Sequence, residues 1–81
     1  MRVVFSDRAI KNLKDAPAPI RRAFEKQLGF LLGNLHHPSL RAKKFDESSD
    51  LWQGRVSRDW RFYFTITGDV YRIESVTPHP K

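Results

Sequence analysis

Six side chains in the second half of the chain could do chemistry together. Arg55 and Arg61 fall on two neighbouring runs of alternating residues, with Arg58 in the loop between them; Lys43 and Lys44 precede this group and His79 follows it. A guanidinium is planar, keeps its charge and offers two parallel donors to a phosphate. A histidine titrates near neutrality and can take or give a proton. Cleavage of a phosphodiester beside a 2′-hydroxyl needs both: a group that moves a proton, and fixed positive charge where negative charge develops on the phosphate. Arginines plus one general acid or base suffice for it in principle, so no metal and no cofactor is expected. The alternative is that Arg55 and Arg61 are ordinary solvent-facing sheet residues and that His79 belongs to a terminal tail.

The remaining ionisable groups read differently. His36 and His37 have no second cluster of ligand-type residues near them in sequence, so a metal site is not expected. They lie where a helix should end, and a cation there suits the helix dipole and the last carbonyls. Asp46, Glu47 and Asp50 fall among serines, and this composition reads as a solvated turn. A Gly-rich phosphate loop, an HExxH pair and a cysteine nucleophile are all missing from the sequence.

Elements that could position the six residues follow from periodicity. Residues 1–5 are apolar and rich in β-branched side chains, which predicts a strand. Ser6 can cap a short helix, with Asp7 in its first turn and Ala9, Ile10 and Leu13 at helical spacing before Pro17. Pro17 and Pro19 stop and restart the chain. Ile20, Ala23, Phe24, Leu28, Leu31, Leu32 and Leu35 then form an apolar stripe opposite Arg21, Arg22, Glu25 and Lys26, and this second helix should end at 34–37, before Pro38. Gly29 and Gly33 suggest close packing against a neighbour. Beyond Ser39 the period becomes two, with strands expected at 42–45, 51–56, 60–67 and 70–76 and a tight hairpin at Gly68-Asp69. The order predicts a single α+β domain over 1–81, its two helices on one face of a mainly antiparallel sheet of four to five strands. The other face should be polar and basic.

Composition narrows the partners. The chain of 81 residues carries 15 Lys and Arg against 9 Asp and Glu, a formal charge of +6, which favours a polyanion such as nucleic acid or an acidic protein segment. No apolar run approaches the length of a bilayer span, no signal-type start is visible, and no helix has the basic and aromatic faces of an interfacial anchor, so no membrane partner is expected. With no cysteine, the chain suits a reducing cytoplasm.

The segments Trp52-Gln53-Gly54-Arg55-Val56, Asp59-Trp60-Arg61-Phe62-Tyr63-Phe64, Gly68-Asp69-Val70-Tyr71-Arg72-Ile73 and Pro78-His79-Pro80-Lys81, in this order and spacing, resemble the C-terminal half of RelE/ParE-family toxins. The first strand ending in Phe5-Ser6, the helical pair and the His37-Pro38 segment resemble its N-terminal half, so the likeness runs over nearly the whole chain. It implies a toxin of a type II toxin–antitoxin system, bound by a cognate antitoxin. In the RelE branch it implies a metal-independent endoribonuclease that cuts mRNA on the ribosome. Arg61 then matches the arginine of the nuclease branch, Arg55 a basic position on the preceding strand, and His79 the C-terminal histidine of YoeB-like and HigB-like members. Lys43, Lys44 and Arg58 would bind RNA. Two features depart from the nuclease pattern: no tyrosine follows His79, and Lys43 or Lys44 stands near where YoeB-like members carry a glutamate. The ParE branch implies instead a gyrase inhibitor that acts by protein binding, and a third alternative is a degenerate member that only binds its antitoxin. Trp52 and Trp60 are either anchors for that antitoxin or core residues.

Overall fold

A computed structural model describes residues 1–79. The elements are β1 (Arg2–Phe5), α1 (Asp7–Asp15), α2 (Ala18–Gly33), a 3-10 turn (Pro38–Leu40), β2 (Lys43–Asp46), β3 (Leu51–Ser57), β4 (Trp60–Thr67) and β5 (Val70–Pro78). They form one five-stranded sheet in the order β1-β5-β4-β3-β2. Every neighbouring pair is antiparallel except β1 with β5, which is parallel. The fold is therefore α+β, as the order of periodicities predicts.

Both helices cover one face. Phe62, Phe64, Ile73 and Val76 project from the sheet into a core completed by Ala9 of α1, Phe24 and Leu31 of α2 and Leu40 of the 3-10 turn. Phe24 meets Phe62 edge-on at 5.5 Å between ring centroids, while Phe62 and Phe64 stack at 5.4 Å. Burying such a ring stabilises the fold by about 1.5–3 kcal/mol. Trp52 and Trp60 pack against this core and are partly buried, so the core alternative describes them. Gly54 has a specific task here: a β-carbon on it would lie 2.5 Å from Cε1 and Cζ of Phe62, so only glycine leaves room for that ring.

Local signals behave as expected at most joints. Ser6 accepts from the backbone N–H of Ala9 at 3.0 Å and caps α1, and its hydroxyl also donates to the Glu74 carbonyl at 2.7 Å. Asn12 accepts the N–H of Val76 at 3.0 Å. These two bonds flank a bulge in β5, where the register shifts between Tyr63 and Phe64, and they give the freed backbone groups partners. The guanidinium of Arg21 donates to the Ala16 carbonyl and closes the joint between the helices. Gly68 takes φ +59 in the two-residue loop between β4 and β5.

Three expectations need correction. Ile10 and Leu32 are exposed, because the sheet covers a narrower sector of each helix than the apolar stripe spans. Gly29 and Gly33 border open space, so no close neighbour explains them. His37 does not donate to the end of α2: its Nδ1 accepts the N–H of Ser39 at 3.2 Å, capping the 3-10 turn, and its ring stacks on Phe30 at 3.9 Å.

Candidate functional site

The face of the sheet away from the helices is built by alternation. On β4, Phe62 and Phe64 point into the core, which turns Arg61, Tyr63 and Thr65 outward. On β3, Gly54 and Val56 are buried and Gln53 and Arg55 share the outer face. Register sets the rows: Arg55 lies opposite Arg61 and Arg61 opposite Thr77, while Gln53 lies opposite Tyr63 and Lys43 opposite Gln53.

Arg55, Arg58, Arg61 and His79 lie at one end of the sheet, and of the four Arg55 and Arg61 are set on the outer face by the strand register. Arg58 sits in the turn between β3 and β4, and the backbone N–H of His79 donates to the Asp59 carbonyl of that turn at 2.6 Å. The His79 side chain is exposed. Arg61 is half-buried, and its Nη1 donates to the carbonyls of Ser57 (2.7 Å), Trp60 (2.9 Å) and Arg58 (3.3 Å). One end of the guanidinium thus holds the turn, and Nε and Nη2 make no hydrogen bond among the described residues.

Like charges facing each other across two strands are unfavourable. Arg55 and Arg61 are such a pair, and among the described residues neither makes a salt bridge. The backbone carbonyls around Arg61 offset part of the repulsion. An anion placed between the two side chains would remove the rest.

Lys43 and Lys44 separate. Lys43 lies in the row of Gln53 and Tyr63, one step along the outer face from the arginines. Lys44 lies opposite Trp52; its ammonium is 2.7 Å from Asp50 and 5.6 Å from the Trp52 ring centroid. The hydrogen bond to Asp50 holds the Lys44 pKa above its ordinary value. Lys44 therefore ties down the turn between β2 and β3. Asp46 serves the same turn: it accepts from the N–H and hydroxyl of Ser48, at 3.0 and 2.8 Å, and these bonds draw its pKa below the usual carboxylate value. The acidic group 46–50 does turn chemistry, as its composition suggests.

Sequence reasoning missed three residues of the outer face. Phe45 is 56% exposed and meets Tyr63 edge-on at 5.0 Å between centroids. Gln53, although on the outer face, is buried and donates to the Tyr63 hydroxyl at 3.1 Å, which fixes the ring. The available signal was Phe45 itself, an aromatic residue in a short run otherwise made of Lys43, Lys44 and Asp46. A fourth missed residue, Gln27, lies at helical spacing between Phe24 and Leu31, a polar break in the apolar stripe. It is buried, and its Nε2 donates to the carbonyls of Ser39 (3.0 Å) and Arg55 (2.8 Å).

No protein-family model matches the chain, and no curated protein matches it in sequence. Solved structures do match its fold. The archaeal RelE–RelB complex from Pyrococcus horikoshii superposes with a TM-score of 0.81 at 20% identity, covering 99% of this chain and 96% of that one. A YoeB/ParE toxin from Agrobacterium tumefaciens gives 0.83 at 10% identity, over 99% and 100% of the two chains. The RelB–RelE antitoxin–toxin complex from Methanococcus jannaschii gives 0.74 at 19% identity, over 93% and 88%. The chain has the RelE/ParE-type fold.

Proposed function

We infer that the chain is the toxin of a toxin–antitoxin pair, and that its outer sheet face binds and cleaves RNA without a metal. The observation that carries this reading is the facing pair Arg55 and Arg61, with no carboxylate partner among the described residues and with His79 at the same end of the sheet. In this reading Nε and Nη2 of Arg61, with Arg55, grip the scissile phosphate and stabilise the charge that develops on it. His79 moves the proton at the 2′-hydroxyl or the leaving oxygen. Lys43 and Arg58 hold flanking phosphates. Phe45 and Tyr63 offer aromatic faces to the bases, which a single strand exposes and a duplex hides. The ribosome supplies mRNA in that single-stranded form, and an acidic antitoxin segment would cover the same basic face. The fold shared with the RelE–RelB complexes supports the antitoxin partner.

The test is to map mRNA 5′ ends in a translating extract with wild type, Arg55→Ala and His79→Gln. Cuts within codons that need ribosomes and disappear in both variants support the reading. Intact mRNA alongside growth arrest by the same protein overturns it. That outcome would favour an interaction module of the gyrase-inhibitor type.

A further inference from the structure

A second basic feature lies around the edge of β3. Antiparallel pairing with β2 begins at Lys43 opposite Gln53, so beyond Gln53 the outer edge of β3 has no strand beside it among the described residues. Gln27 takes over there, giving its amide N–H to the Arg55 carbonyl and to the Ser39 carbonyl and accepting the Ser39 hydroxyl at 3.0 Å. Above this fixed floor is an open pocket of about 500 Å³ whose lining includes Lys26, Arg41 and Arg55 and, among the described residues, no carboxylate. None of the three cations makes a salt bridge among the described residues.

Arg41 carries a second signal. It ends the 3-10 turn at φ 46, ψ 41, in the left-handed region, where a side chain costs about 1–2 kcal/mol and glycine or asparagine would fit with less strain. An arginine in such a conformation, on the wall of a pocket also lined by two other cations, points to a ligand. The pocket's apolar lining is limited to Ala23, Pro38 and Val56, which offers little to anchor a peptide but suits a compact oxyanion.

We propose that this pocket binds a phosphate of the RNA strand next to the one gripped by Arg55 and Arg61, leading the strand off the outer face and around the β3 edge toward α2. Arg55 borders both places and links them. The proposal rests on the RNA reading of the outer face and extends it to Lys26 and Arg41, which the sequence did not single out.

The experiment measures binding of a short 2′-O-methyl RNA, which cannot be cut, by fluorescence anisotropy over a series of salt concentrations. The proteins are wild type, Lys26→Ala, Arg41→Gly and, as a control, Lys14→Ala on the exposed last turn of α1. Arg41→Gly removes the charge while relieving the backbone, so loss of folding cannot explain its effect. Each pocket variant should weaken binding several-fold and flatten the slope of log K against log salt by about 0.7, the value of one phosphate contact on a single strand. Lys14→Ala should match wild type. If both pocket variants keep the wild-type slope while Arg55→Ala loses it, the pocket proposal falls and the RNA reading stands. If wild type itself shows no salt-dependent RNA binding, both fall. Wild-type RNA affinity in the variants, with loss of binding to an Asp/Glu-rich peptide, would assign the pocket to an acidic protein and overturn the proposal.

Discussion

Arg61 faces Arg55 across β3 and β4, and its Nη1 sits 2.7 Å from the Ser57 carbonyl, so one side chain both builds the turn and charges the face. The two arginines should therefore fail differently. Arg61→Ala should lower stability by about 1 kcal/mol, a fall of roughly 4–8 °C in Tm for a domain of this size. Arg55→Ala should leave Tm unchanged or slightly raised, because it removes a like-charge neighbour. Both should reduce RNA cleavage, by about 100-fold or more. Calorimetry beside a cleavage assay separates the two roles. Equal Tm losses in the two variants would contradict the assignment of the turn to Arg61.

Gln27 should resist replacement by an apolar residue of similar size. Gln27→Leu adds hydrophobic surface yet leaves the Ser39 and Arg55 carbonyls without their donor, at a cost of about 1–3 kcal/mol for each group left unsatisfied. Urea unfolding should report a lower midpoint with an unchanged m-value. A variant as stable as wild type would mean that water satisfies both carbonyls.

Gly54→Ala should destabilise the chain by about 1–3 kcal/mol, since the new methyl group meets Phe62 in a filled core. Pairing it with Phe62→Leu should recover part of the loss. Additive effects in the double variant would show that the contact does not explain the glycine.

Phe45→Ser should leave stability within about 0.5 kcal/mol of wild type, because the side chain is exposed. It should still weaken single-stranded RNA binding, by about 1–3 kcal/mol if a base stacks on the ring. Unchanged RNA affinity would remove Phe45 from the interface.

The turn between β2 and β3 should loosen in acid. The Asp46 pKa is depressed in the folded chain, chiefly by the Ser48 hydroxyl, so its contribution is full above the ordinary carboxylate value and is lost as pH falls through the folded value. Lys44 has the opposite sign: its pKa is raised, chiefly by the hydrogen bond to Asp50, and its contribution is lost only as alkaline pH rises through the folded value. Amide exchange at Ser48, compared in wild type and Asp46→Ala, should differ near neutrality and converge in acid. A constant difference at all pH values would place the cause elsewhere.

The fold was largely legible because local signals agreed with one another. Ser6, Pro17, Pro19 and Gly68 sit at element ends, as their chemistry demands, and the change of period after Ser39 marks where helices give way to strands. Within the candidate site, the shared face of Arg55 and Arg61 followed from alternation. The different surroundings of Lys43 and Lys44 did not, because that depends on which neighbour Gln53 and Trp52 each select across the sheet. The roles of Gln27 and Gln53 were hidden for the same reason: a buried amide is explained by groups distant in sequence, here Ser39, Arg55 and Tyr63. The two tasks of Arg61 also escaped notice, since a turn carbonyl leaves no mark on composition.

The strand that ends the chain order, β5, lies inside the sheet, between β1 and β4, and its bulge is held by Ser6 and Asn12 from the other end of the sequence. Among the described residues β1 has no strand partner other than β5, so it stays unpaired until residues 70–78 are in place. This pairing joins segments far apart in sequence, so the loop between them must close before the contact rewards it, which makes it slow to form. Arg61 and His79 reach the same end of the sheet only when β5 pairs with β4, so the candidate face exists only in the closed sheet and is lost whenever that strand detaches.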